Sequence, residues 1–333
     1  MRAAVLHQAG KADALRIEET NPPHISSPNQ VLVRIKAAGI NPVDTKMRQA
    51  PERFPLHMPA ILGCDGAGIV EETGANVTRF SPGDEVYFCQ CGFNGRQGTY
   101  AEYAAVDECF LAHKPKALTF AEAAAAPLVL ITAWEALYDR VTVNPGQQVL
   151  IHAGAGGVGH VAIQLAKLAG ARVATTVSSA AKAEFVKILG AEKVIRYKEQ
   201  DFVQAIREWG NGNHGVDIAL DTVGGPLIEK TFGAVRVYGD VVTILQPPPD
   251  INWGEARKRN LRFTQELMLS PTLMEIDEAK LHQGWILEQC AKLFEQNRLS
   301  IKVAKTFDLA DVAKAHEYLE NEHPIGKVVL MVS

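Results

Sequence analysis

The segment VLIHAGAGGVGHVAIQLAK sets Gly154, Gly156 and Gly159 in a G-x-G-x-x-G spacing, with Ala155, Gly157 and Val158 between them, after a strand-like run and before a helix-like one. Glycine without a Cβ lets backbone N–H groups approach a pyrophosphate, and a helix N-terminus turns the positive end of its dipole towards that charge. A glycine-rich turn with no ligand is the bland alternative; the strand, helix and following βα unit in register argue against it. A dinucleotide is the expected ligand. Its type is read at the end of the second strand, where an acid normally accepts the ribose hydroxyls. From Ala171 to Ala183 the chain reads ARVATTVSSAAKA, with Ser178, Ser179 and Lys182 and no acid. Hydroxyls and an ammonium suit a 2′-phosphate, whereas a carboxylate would repel it, so NADPH is expected over NADH. An ordinary solvated helix lysine is the alternative for Lys182.

The elements that must position these residues fall into two textures. The first 110 residues read as short strands punctuated by Pro22-Pro23, Asn29, Asn41-Pro42 and Ser81-Pro82-Gly83-Asp84. QVLVRIKAAG alternates Val31, Val33 and Ile35 with wetter positions, the period of a half-buried strand, and Gly39 is expected to release the chain into a loop. Thr119 and Glu122 form a capping-box pattern before a helix that Pro127 interrupts. From Gln148 a strand, turn and helix recur, with strands from Val149, Arg172, Lys193, Val216 and Gly239, as βαβ units on a parallel sheet require. Gly170 and Gly190 end two of the helices in positions suited to a left-handed stop. After about residue 250 the repeat fades, and a helical segment precedes the final strand KVVLMV.

Composition narrows the function classes. The 333 residues carry 34 Lys and Arg against 38 Asp and Glu, a net charge of −4, with no basic run for a polyanion. Nucleic acid and membrane are not expected as partners, and no apolar run approaches the ~20 residues of a membrane span. Five cysteines (Cys64, Cys89, Cys91, Cys109 and Cys290) are too few and too scattered for a disulfide scaffold, so a cytoplasmic location is expected. Buried unreactive thiols are the expected role of these cysteines, with a soft-metal site from Cys64, Cys89 and Cys91, with or without Cys109, as the alternative. The ten histidines show no metal-ligand spacing, and packing is the default role of His152.

AAGINPVDTK, GCDGAGIV, SPGDEVY, GTYAEY, PLVLITAWEAL, HAGAGGVGHVAIQLAK, TTVSS and DTVGG occur in this order along the chain. On these stretches the sequence resembles the zinc-independent NADPH:quinone oxidoreductases, the ζ-crystallin-like branch of the medium-chain dehydrogenase/reductase superfamily. The resemblance implies an α/β fold: a Rossmann doubly wound parallel sheet, residues 125–265, inserted into a GroES-like β-rich catalytic domain made of residues 1–124 and 266–333. Zinc-dependent relatives carry metal ligands in the loop after AAG and in a GHE stretch. Here those places hold Asn41 and Gly63-Cys64-Asp65, and PLVLITAW has no cysteine, so no metal is expected.

The resemblance places Asn41 beside nicotinamide and substrate, where it would orient a carbonyl oxygen, and has Thr132 hydrogen-bond the carboxamide; a turn former before Pro42 is the plainer reading of Asn41. Asp44 either joins a polar relay or caps the short helix of VDTKMRQ. Lys46 stands where relatives often carry Tyr, which takes away aromatic stacking on a quinone and leaves a proton donor or a partner for an anionic group. Tyr197, Thr222, Leu245 and Lys327 complete the residues expected at the cofactor. The implied activity is hydride transfer from NADPH to a quinone or other α,β-unsaturated carbonyl in a cleft between the domains, with the proton from water, since no tuned side-chain acid is visible. An alkenal or enoyl double-bond reductase, a zinc-type alcohol dehydrogenase and a non-catalytic NADPH-binding protein are the alternatives. A homodimer or tetramer is expected, with GDVVTIL as the edge strand that pairs.

Overall fold

The computed structural model describes residues 1–210, 212 and 214–332. The chain divides into two compact units, one made of Met1–Leu128 with Leu269 onward and the other of Val129–Met268. The first opens with β1 (Arg2–Leu6), β2 (Leu15–Glu19), β3 (Gln30–Ile40), α1 (Pro42–Gln49), β4 (Ala60–Ile61), β5 (Asp65–Thr73), β6 (Glu85–Cys89), β7 (Tyr103–Asp107), β8 (Leu111–His113) and α2 (Phe120–Ala124). The alternation in β3 is that of a half-buried strand: Val31, Val33 and Ile35 are buried while Leu32, Arg34 and Lys36 are half-exposed. Gly39 does not release the chain. It lies inside β3, opposite Asp65, and a Cβ there would collide with the Ala124 carbonyl of α2, so glycine is required by close packing of helix on strand. The Thr119 capping box forms as expected: the Glu122 N–H donates to Thr119 Oγ1 at 3.2 Å and the Thr119 N–H to Glu122 Oε2 at 2.9 Å.

α3 (Pro127–Trp134) leads into the second unit, which alternates β9 (Gln148–Ile151), α4 (Gly157–Leu168), β10 (Arg172–Val177), α5 (Ala180–Ile188), β11 (Lys193–Arg196), α6 (Phe202–Trp209), β12 (Val216–Asp221), α7 (Pro226–Phe232), β13 (Val235–Thr243), α8 (Gly254–Lys258) and β14 (Arg262–Gln265). All six strands are parallel, in the order β11-β10-β9-β12-β13-β14, a doubly wound sheet whose order reverses at β9. Gly170 and Gly190 end α4 and α5 with φ of +82° and +101°. The edge-strand expectation for GDVVTIL fails: β13 is covered by a short parallel partner, β14, which the polar sequence RFTQ hid, and β14 is the edge.

The chain returns to the first unit through α9 (Ser270–Leu273), α10 (Asp277–Glu295), β15 (Val303–Asp308), α11 (Val312–Glu322) and β16 (Lys327–Met331). β16 pairs with β3, Val328 opposite Ile40, and joins a seven-stranded sheet with β15, β5, β6, β7 and β8. Four strand ends therefore meet at one end of this sheet: the finish of β3 and β6 and the start of β5 and β16. Among the described residues no helix is long and apolar enough to cross a membrane.

Candidate functional site

In the second unit the glycine turn follows β9 and opens α4. Its three glycines serve different contacts. A Cβ on Gly154 would run into the Thr175 hydroxyl, and one on Gly159 into the Ala153 carbonyl, so both are needed for strand and helix to approach. A Cβ on Gly156 would meet only the Ala153 carbonyl, at 3.2 Å, so little within the protein fills that side of the turn. Gly156 is also the N-cap of α4, with no side-chain cap on the first-turn N–H groups. An open glycine before an uncapped helix start fits a pyrophosphate.

At the end of β10, Ser179 caps α5, its hydroxyl accepting the Lys182 N–H at 3.4 Å, with half-exposed Ser178 beside it. The Lys182 ammonium is made more acidic than usual, by burial first and then by the like charge of Lys198. Lys198, which follows Tyr197 after β11, escaped the sequence reading because it belongs to the next strand. Two ammoniums that repel each other fit a doubly charged phosphate. Tyr197 is 51% exposed. The Thr222 hydroxyl donates to the His152 carbonyl at 2.7 Å, and Asp221 holds the DTVGG turn, accepting the Gly224 N–H at 3.0 Å and the Thr243 hydroxyl at 2.8 Å. Leu245 covers Gly224, where a Cβ would meet its side chain at 2.7 Å. His152 is buried between the hydroxyls of Thr176 and Thr231, at 3.1 and 2.9 Å, a packed and satisfied histidine. Thr132 is buried on α3.

In the first unit the four strand ends gather a polar cluster. Asn41 is 1% exposed, Lys327 4%, and Asp44 and Asp65 0%. Asn41 Nδ2 donates to Asp65 Oδ2 at 2.9 Å, while the Lys327 ammonium donates to the Ile40 carbonyl at 3.0 Å and to Asn41 Oδ1, with Asp65 Oδ2 at 3.5 Å. Asp65 Oδ1 accepts the Leu128 N–H at 2.8 Å, tying the start of α3 to β5. The carboxamide of Asn41 is thus bound to neighbours within its own unit, and Asn41 also caps α1, where Asp44 Oδ2 accepts its N–H at 2.7 Å. Lys46 is exposed on α1.

Asp44 does more than cap. Its Oδ1 is buried without a hydrogen-bond partner, and burial, aided by the charge of Asp65, pushes its carboxyl up to about 7. The sequence showed no tuned acid; the fold makes one by sealing a carboxyl away from water. Arg48, itself buried, donates to His316 Nδ1 at 3.1 Å and to Glu320 at 2.7 Å. A guanidinium only donates, so His316 carries its proton on Nε2, which faces the Tyr100 hydroxyl at 3.3 Å. Burial pushes His316 down to about 3 and Tyr100 well above the usual phenol range. His316, from the far end of the chain, had no sequence signal.

The expectation of unreactive thiols is corrected at two positions, because Cys64 and Cys91 form a disulfide between the start of β5 and the turn after β6, while Cys89, Cys109 and Cys290 are free. Paired sulfur is not a thiolate ligand, so the donor set around Asn41 and Cys64 does not fit a catalytic zinc. Among the described residues no three His, Cys, Asp or Glu side chains are grouped to hold a metal ion.

Residues 27–116 match the alcohol dehydrogenase GroES-like domain and residues 189–330 the zinc-binding dehydrogenase family. A zinc-type alcohol dehydrogenase-like protein of Staphylococcus aureus is 33% identical, over 91% of each chain. The chain belongs to the medium-chain dehydrogenase/reductase superfamily. This superfamily member is also 32% identical to a 2-haloacrylate reductase from Burkholderia, over 99% of this chain and 98% of the other. Quinone oxidoreductases are among its structural neighbours: that of Escherichia coli, solved with NADPH, superposes with a TM-score of 0.87 at 28% identity, over 99% of this chain and all of the other. It is an oxidoreductase of this type, and its glycine turn is that of a nicotinamide-dependent enzyme.

Proposed function

We propose that the protein is an NADPH-dependent reductase of quinones or other α,β-unsaturated carbonyls that works without catalytic zinc. The observation that carries this reading is the buried group of Asn41, Asp65 and Lys327: amide, carboxylate and ammonium meet beside the two places where zinc-dependent relatives keep ligands, and a zinc would have to displace the ammonium. When bound, NADPH would supply a hydride to the electron-poor carbon, and a proton from water would complete the reduction, leaving NADP⁺. The chain's own residues bind and orient. Gly156 and the open start of α4 would take the pyrophosphate, and Lys182 and Lys198 the 2′-phosphate. Asn41 and Thr132 are the proposed polar contacts to substrate and nicotinamide.

A double-bond reductase acting on an unsaturated carboxylate is the second reading, favoured by the likeness to the 2-haloacrylate reductase and by Lys46, an exposed cation where relatives often carry Tyr. The test is NADPH oxidation with benzoquinone, an enone, 2-chloroacrylate and a primary alcohol with NADP⁺, each with and without a strong chelator. Chelator-insensitive reduction of quinone or enone supports the proposal, preference for chloroacrylate selects the second reading, and alcohol oxidation abolished by chelator overturns both.

A further inference from the structure

We propose that Lys327 is a positioning residue: its buried ammonium is the fixed cation that sets the orientation and polarity of the Asn41 carboxamide. This rests on the reading of the Asn41 cluster as the hydride-transfer site. The chemistry is local. An ammonium has three N–H donors and no acceptor, and here its contacts are the Ile40 carbonyl, Asn41 Oδ1 and Asp65 Oδ2. Asn41 is held at both ends, its oxygen by Lys327 and one amide N–H by Asp65. That removes the ambiguity of an amide that presents either end, and an amide whose oxygen faces a cation is a stronger donor through its nitrogen. The carboxylates facing the ammonium are Asp65 from β5 and Asp44 from α1, with the Cys89 thiol of β6 and the Tyr100 phenol also in the group. Lys327 is a positive charge offsetting two buried carboxylates, Asp44 and Asp65, that act on each other, and it favours the ionised form of both.

Lys327 lies nearly 290 residues from Asn41 in sequence and reaches it only because β16 pairs with β3. Its charge does not build a surface ion pair, since every partner is buried. A neutral residue of similar length would fill the same space and leave the amide held only through its N–H to Asp65.

The experiment compares Lys327→Met, Lys327→Arg and the charge-balanced pair Lys327→Met with Asp65→Asn, which keeps the core neutral if the single variant fails to fold. With a quinone or enone that the wild type reduces, kcat is expected to fall on the order of 100-fold in both Met variants, with the KM for NADPH unchanged, and Lys327→Arg to recover most of it. Carboxyl ¹³C titration of aspartate-labelled protein gives a readout needing no substrate: without the cation, the titration of Asp44 moves to higher pH. Loss of thermal stability with kcat per folded molecule unchanged, or an Asp44 titration that stays in place in Lys327→Met, would overturn the proposal. If the wild type reduces no quinone or enone, the functional reading fails, and the titration alone decides whether Lys327 sets the charge of this cluster.

Discussion

A carboxyl that titrates near neutrality deep inside a fold makes stability itself depend on pH. Asp44 is raised to about 7 from the ordinary 3.8, so the folded protein holds that proton more tightly than the unfolded chain. Its contribution is full below about pH 4 and is lost as pH rises through 7. Asp44→Asn keeps an acceptor oxygen for the Asn41 N–H and removes the charge; thermal melts of this variant are expected to lose less stability between pH 5 and 8 than the wild type. The same scale decides the nucleotide. Lys182→Ala with Lys198→Ala is expected to reduce kcat/KM for NADPH by about 10- to 100-fold, roughly 1 to 3 kcal/mol, and to leave NADH within about 3-fold. Steady-state kinetics with both cofactors checks it; equal losses with both, or no loss with NADPH, would rule out a contact of the two lysines with the 2′-phosphate.

At the scale of elements, the glycine turn and Gly39 make separable expectations. Gly156→Ala adds a methyl group on the side of the turn that meets only one protein atom, so the fold should tolerate it while NADPH affinity falls at least tenfold by fluorescence titration. Gly39→Ala collides with α2 and should lower the melting temperature whatever ligand is present. Local patterns made much of this legible in the sequence: the alternation in β3, the Thr119 capping box, the helix stops at Gly170 and Gly190 and the βα repeat each lie within a short window. What was not legible depends on distant pairing. Gly39 looked like a loop because its need for smallness comes from α2, some 85 residues on. β14 was missed because a short edge strand with one polar face has no hydrophobic run. The cluster of Asn41, Asp44, Asp65, Tyr100, His316 and Lys327 spans nearly the whole chain, and no local spacing announces it.

Across the whole molecule each unit buries a neutral histidine, His152 in one and His316 in the other, pushed down to about 4 and about 3. A depressed histidine contributes stability that is present above its ordinary 6.5 and is lost as pH falls towards its folded value. The contribution opposes that of Asp44 over the same range, so it is read by difference: His152→Gln and His316→Gln are each expected to lose less melting temperature between pH 6.5 and pH 4 than the wild type does. The two units supply different halves of the proposed chemistry, a nucleotide cradle in one and a buried charge-balanced amide in the other. The claim that joins them is hydride transfer from NADPH to an electron-poor carbon without zinc. Its most direct test is one turnover of protein stripped of metal, with NADPH deuterated at the nicotinamide C4 on each face in turn and an enone as acceptor. One deuterium on the β-carbon of the product from one of the two cofactors, at a rate that metal removal leaves unchanged, is the expected result. Product free of deuterium from both, or turnover that returns only when zinc is restored, would contradict it.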